Sequence, residues 1–125
     1  MLLTLFLAAA AAQGGCANAT TQADMNRCAQ AALQRADAAM TREWQASYAK
    51  MKAQDAANTS RGGGFGYAAA ALASQRAWLK FRDTQCVLEA GRYAGGSMQP
   101  LARANCLERL TKERAQQLRD LRREI

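Results

Sequence analysis

The residues of this chain that could do chemistry are four cysteines, Cys16, Cys28, Cys86 and Cys106, and a few charges lying on otherwise apolar stripes. In QRAWLKFRDTQC, residues 75–86, Trp78, Arg82 and Cys86 fall at i, i+4 and i+8, on one face of a helix. Arg82 thus stands between a large aromatic and a cysteine, where an apolar residue is expected. Arg114 interrupts Leu110 and Leu118 in the same way, and Asp37 projects within about 40° of Leu33, beside Met40 and Trp44. Such charges could read an acidic ligand, act in catalysis, or pair with one another inside the fold. Catalysis has little support. Histidine is absent, no cysteine is expected to be free, and Asp37 and Glu43 project about 120° apart on one helix. GGGFG, residues 62–66, follows a helix rather than a strand, so it is not a phosphate loop. Without histidine or a C-x-x-C pair, a zinc site is not expected either. The chain reads as non-catalytic, with no cofactor and no metal.

Three helices must position these residues. Thr21-Gln22-Ala23-Asp24 has the pattern of a capping box, and nothing breaks a helix from there to about Ala57. Met25, Cys28, Ala29, Ala32, Leu33, Ala36, Met40, Trp44, Tyr48 and Met51 make one stripe along it at three- and four-residue steps. NTSRGGGFG, residues 58–66, ends this helix. A second runs from about Tyr67 to Ala90 and stops at GRYAGGSMQP, residues 91–100. Pro100 suits the first turn of a third helix, which carries Leu107, Leu110, Leu118 and Leu121 to near Arg123. No period-2 alternation proposes a strand. The expected fold is an all-α, three-helix antiparallel bundle with a long first helix.

Folding the second helix back on the first about Arg61 brings Arg82 opposite residues 40–42, within a turn of Asp37. The same construction places Arg114 opposite Trp78 and near Glu43 or Tyr48. A charge buried alone costs several kcal/mol, so a buried network of Asp37, Arg82, Arg114 and Glu43 is expected, with Trp44 and Trp78 as core aromatics. An anion-binding pocket between the helices is the functional alternative. An even cysteine count fits two disulfides. Turning helices two and three around Gly95 and Gly96 puts Cys86 and Cys106 at one level, which leaves Cys16 to pin the N-terminal lead to Cys28. The alternative 28–86 bridge leaves its ends roughly 13 Å apart along the bundle, so 16–28 and 86–106 are preferred.

Residues 1–12, MLLTLFLAAAAA, are too short for a bilayer-spanning helix of about 20 residues. They match the apolar region of an export signal, with Ala10 and Ala12 at A-x-A positions, and no positively charged region precedes them. The helical domain then occupies residues 13–125, and a periplasmic or secreted location is expected. Lipid anchoring at Cys16 is disfavoured, because Gln13-Gly14-Gly15 lacks the apolar residue wanted before a lipidated cysteine. The net charge of +7 favours acidic partners. Export and the lack of a base-reading motif argue against nucleic acid. Arg103, Arg109, Lys112, Arg119, Arg122 and Arg123 on the third helix could meet an anionic envelope surface, or form a solvated face.

Q-x-x-M-N-x-C from Gln22 to Cys28, W-x-x-F-R-D-x-x-C from Trp78 to Cys86, Gly95-Gly96-Ser97, Cys106 and L-T-x-E-R from Leu110 to Arg114 together resemble the lysozyme inhibitor LprI N-terminal-like family. The likeness covers roughly residues 16–121. It implies a small exported helical protein of the bacterial envelope, and a lysozyme-type muramidase as partner. The matched residues Cys28, Trp78, Arg82, Asp83, Cys86, Cys106 and Arg114 look like scaffold, and the motif singles out no inhibitory contact. Occlusion by a loop would use Arg61, Phe65 and Tyr67, or Tyr93 and Ser97. Common lysozymes are strongly cationic, so a chain of this charge meets long-range repulsion unless a local acidic patch outweighs it.

Overall fold

A computed structural model describes residues 16–125; the expected export segment, residues 1–12, lies outside the described residues. Three helices follow one another: α1 (Gln22–Ala57), α2 (Tyr67–Ala90) and α3 (Gln99–Glu124), with a 3-10 turn at Gly91–Tyr93. There is no strand among the described residues. The Thr21 hydroxyl accepts from the Asp24 amide at 3.1 Å and starts α1, and Pro100 occupies the first turn of α3.

The order of contacts fixes how the helices lie. Asp37, Met40 and Asp55 of α1 meet Arg82, Gln75 and Tyr67 of α2, so the residue numbers descend on α2 as they climb on α1. They also run in opposite order between α2 and α3, where Cys86 meets Cys106, Arg82 meets Thr111 and Gln75 meets Arg114. Between α1 and α3 the order is the same: Ser47 meets Leu118 and Lys50 meets Arg122.

The core is made largely of small residues. Ala29, Ala36, Met40, Ser47 and Met51 are the buried positions of α1, against Ala104, Leu107, Thr111, Ala115 and Leu118 of α3. The buried line of α1 is therefore turned slightly from the expected stripe. Ser47 is wholly buried where Tyr48 was expected to point inward, and the half-buried Tyr48 ring stacks on Trp44 at 5.0 Å. Small side chains let the α1 and α3 backbones approach closely, and the Ser47 hydroxyl donates to the Leu118 carbonyl at 3.0 Å. Trp78 and Trp44 pack on this core from its edge.

Two disulfides close the fold, Cys16–Cys28 and Cys86–Cys106, with Cα–Cα distances of 5.6 and 5.5 Å. The first ties the N-terminal lead to α1, and the second joins α2 to α3 inside the core. No helix among the described residues is long and apolar enough to cross a membrane.

Candidate functional site

The charges on the stripes form two junctions, each touching all three helices. In the first, Arg82 Nη1 donates to Asp37 Oδ1 at 2.9 Å and to Thr111 Oγ1 at 3.2 Å, while Nε holds Asp83 at 3.0 Å. In the second, one turn away, Arg114 Nε donates to Gln75 Oε1 at 2.9 Å, and Gln75 Nε2 lies 3.2 Å from Met40 Sδ. Trp78 lies between the two, its ring centre 5.3 Å from the Arg82 guanidinium and 5.8 Å from that of Arg114. Both arginines lay their planar heads near the indole while reaching polar partners, as a guanidinium can and an ammonium cannot.

Two details of the expected network need correction. The Asp37 carboxylate is 45% exposed and the Arg82 side chain 14% exposed, so the pair lies at the edge of the core rather than buried within it. Asp37 sits about 60° around α1 from Met40, on the flank that faces α2 rather than in the centre of the interface. Arg114 does not reach Glu43 or a tyrosine hydroxyl. It bonds Gln75, Ser74 and Gln117, and burial lowers its pKa. Glu43 instead takes Arg119 at 3.2 Å and Arg122 at 2.8 Å. Positions 114 and 119 are about 140° apart around α3, so only one of them can face α1. The bond from Arg122, helped by Arg119, holds the Glu43 carboxyl below the ordinary glutamate value.

These junctions are satisfied from within and leave nothing aimed at a ligand. What remains open are the two connecting loops, which stand at opposite ends of the bundle. The 58–66 loop presents Arg61, with no partner among the described residues, and Phe65, 75% exposed and edge-on to Tyr67 at 5.0 Å. Its geometry depends on Asp55, a residue that the sequence reading passed over. Gly66, with φ of 84°, occupies the N-cap of α2 and has no side chain to cap with. The Asp55 carboxylate replaces it, accepting from the backbone amides of Tyr67 and Ala68 at 2.9 Å each. The only signal in the sequence was the missing cap at position 66. Phe65 itself forms part of the wall of an apolar groove of about 250 Å³, with Met51, Tyr67, Ala70, Ala71 and Leu121.

At the other end Tyr93 is 39% exposed and Ser97 is exposed. The turn is set by Ala94 donating to the Gly91 carbonyl, and by the Gly95 amide donating to Gln99 Oε1. Glu89, Arg92, Tyr93, Asn105 and Arg109 line a cleft of about 350 Å³ next to the Cys86–Cys106 bridge.

The surface charge is distributed differently from the sequence expectation. On α3, Arg109 pairs with Glu89 and Glu113, Lys112 with Glu108, Arg119 and Arg122 with Glu43, and Arg123 with Asp120. Only Arg103 of that helix's expected basic face has no such partner. The other cations without a partner among the described residues are Arg35, Arg42, Arg61, Arg76 and Lys80, spread over the molecule, while Arg92 has no hydrogen bond but acts on Glu89 through its charge. Of the acidic side chains, Glu124 alone among the described residues has no partner, so no acidic patch is left free. Among the described residues no group of histidine, cysteine and carboxylate side chains could hold a metal.

Comparison with known proteins agrees with this scaffold. The family model described as "Lysozyme inhibitor LprI" matches residues 15–118. An uncharacterized protein of Rhizobium meliloti (strain 1021) is 36% identical over 107 residues, covering 85% of this chain and 77% of the relative. No solved structure matches the chain. The matched span contains both bridges, both three-helix junctions and both loops, and the chain belongs to the LprI lysozyme inhibitor family.

Proposed function

We propose that this protein acts in the periplasm or outside the cell as a non-catalytic inhibitor that binds a muramidase and blocks its cleft. Membership of the LprI family carries the reading. Two disulfides fit an oxidising, extracytoplasmic compartment. The 58–66 loop is the part suited to enter a cleft: it projects an exposed aromatic, Phe65, beside an unpaired cation, Arg61. Muramidases cleave glycosidic bonds with paired carboxylates, which Arg61 would meet while Phe65 fills a sugar subsite. With every carboxylate of the described residues except that of Glu124 engaged internally, those residues offer no acidic patch to a strongly cationic lysozyme, which favours a muramidase with a neutral or acidic rim as the target.

Turbidity assays on cell-wall suspensions test this. Purified oxidised protein slows lysis by such a muramidase, and Phe65→Ala weakens the effect about tenfold or more, as for an aromatic anchor. No slowing at large molar excess with any muramidase ends the reading. A second reading, contact with an anionic envelope surface, draws on the six cations without partners among the described residues. It predicts vesicle or lipopolysaccharide binding that weakens steeply with salt.

A further inference from the structure

The cleft beside the 91–98 turn differs from the rest of the surface in the polar groups it leaves unused. Arg92, the Tyr93 hydroxyl and the Asn105 amide all line it, and none has a hydrogen bond among the described residues. Glu89 also lines it, but its charge is already answered: Oε1 takes Arg109 at 2.7 Å and Oε2 takes Gln85 at 3.2 Å. Arg92 and Arg109 both act on the Glu89 carboxylate, and two cations against one carboxylate leave the cleft with a net positive charge, with the Arg92 fork free of hydrogen bonds. Its walls are fixed. The Cys86–Cys106 bridge joins α2 to α3 at its floor, and the turn carrying Arg92 and Tyr93 is held by its own backbone bonds. A volume of about 350 Å³ is at the small end of ligand sites.

We propose that this cleft is a binding site for a carboxylate-bearing ligand the size of a terminal dipeptide, held by the fork of Arg92 with Tyr93 and Asn105 as secondary donors. A guanidinium matches a carboxylate with two parallel bonds, and the two neutral donors add to it without adding charge. The site is at the opposite end of the bundle from Phe65 and does not depend on the muramidase reading.

Calorimetric titration of the oxidised protein tests it with four probes: N-acetyl-alanyl-alanine, its C-terminal amide, N-acetyl-aspartyl-alanine amide and inorganic phosphate. The free acid binds saturably, and both the Ala-Ala amide and the Arg92→Gln variant bind about tenfold more weakly or worse. Arg92 is exposed, so the variant keeps the melting temperature, and Arg61→Gln at the far end leaves binding unchanged. Equal binding of the aspartyl amide supports the carboxylate site and assigns it to acidic side chains as well as chain ends. No saturable binding into the millimolar range overturns the proposal. So does phosphate binding as tightly as the free acid, the Ala-Ala amide binding as well as the acid, or an equal loss in Arg61→Gln.

Discussion

Arg82 bonds a side chain from each neighbouring helix as well as its own Asp83, and rests near Trp78. That makes it a positioning residue of the scaffold rather than a reader of ligands. Arg82→Met strips the wholly buried Thr111 hydroxyl and the Asp37 carboxylate of their partner, with an expected loss of about 1–3 kcal/mol in denaturant melts. Asp37 is half-exposed and contributes less, so Asp37→Ala costs about 1 kcal/mol or under. Muramidase inhibition at a temperature where both variants are folded stays unchanged. Lost inhibition with an unchanged melt would reverse this assignment. Glu43 gives a pH test. Its folded pKa is depressed below the ordinary 4.5, so the unfolded chain takes up a proton first as pH falls. The stabilisation is complete above 4.5 and is lost as pH drops through the folded value. A Glu43→Gln variant lacks this component, and its melting temperature falls less steeply with acid than that of the parent.

At the scale of elements, Asp55 is where one helix builds the next. It caps α2 from the last turn of α1 and so sets where Phe65 and Arg61 point. Asp55→Ala leaves both amides without that acceptor and is expected to cost about 1–2 kcal/mol. It also weakens inhibition while the Cys86–Cys106 end is undisturbed, which amide exchange across α2 reads out. The helix limits were legible from sequence because their signals are local: Thr21, the 62–66 glycines, Gly91 and Pro100 lie at the ends themselves. The Asp55 cap was not legible, since its donors are twelve and thirteen residues away. Arg114 and Glu43 were drawn together by level along the bundle. Level was right to a turn, but the rotation of α3 decides partners, and a stripe broken by Arg114 does not specify that rotation. Ser47 was missed for the same reason: a small polar residue carries no periodic signal, although its burial lets α1 and α3 come close.

At the scale of the whole molecule, two bridges hold a core built mostly of alanine and other small residues. The Cys86–Cys106 bridge closes a separation of 20 residues, for which chain entropy alone gives about 3 kcal/mol. Reduction of the protein is therefore expected to lower its melting midpoint sharply, with loss of that bridge the larger effect because it lies in the core. The disulfide pattern could be read from helix levels, and the family from ordered motifs, because both depend on positions along the chain. The charge pattern could not. A net +7 reads as one cationic surface, yet most α3 cations are spent on Glu43, Glu89, Glu108 and Asp120. The central claim, that this bundle presents Phe65 and Arg61 to a muramidase cleft, is tested most directly by one measurement. Lysis of a cell-wall suspension is followed with wild-type protein and with the Phe65→Ala/Arg61→Ala double variant, which remains folded by thermal melt. The account predicts that wild type slows lysis and the folded double variant does not; equal inhibition by both would contradict it.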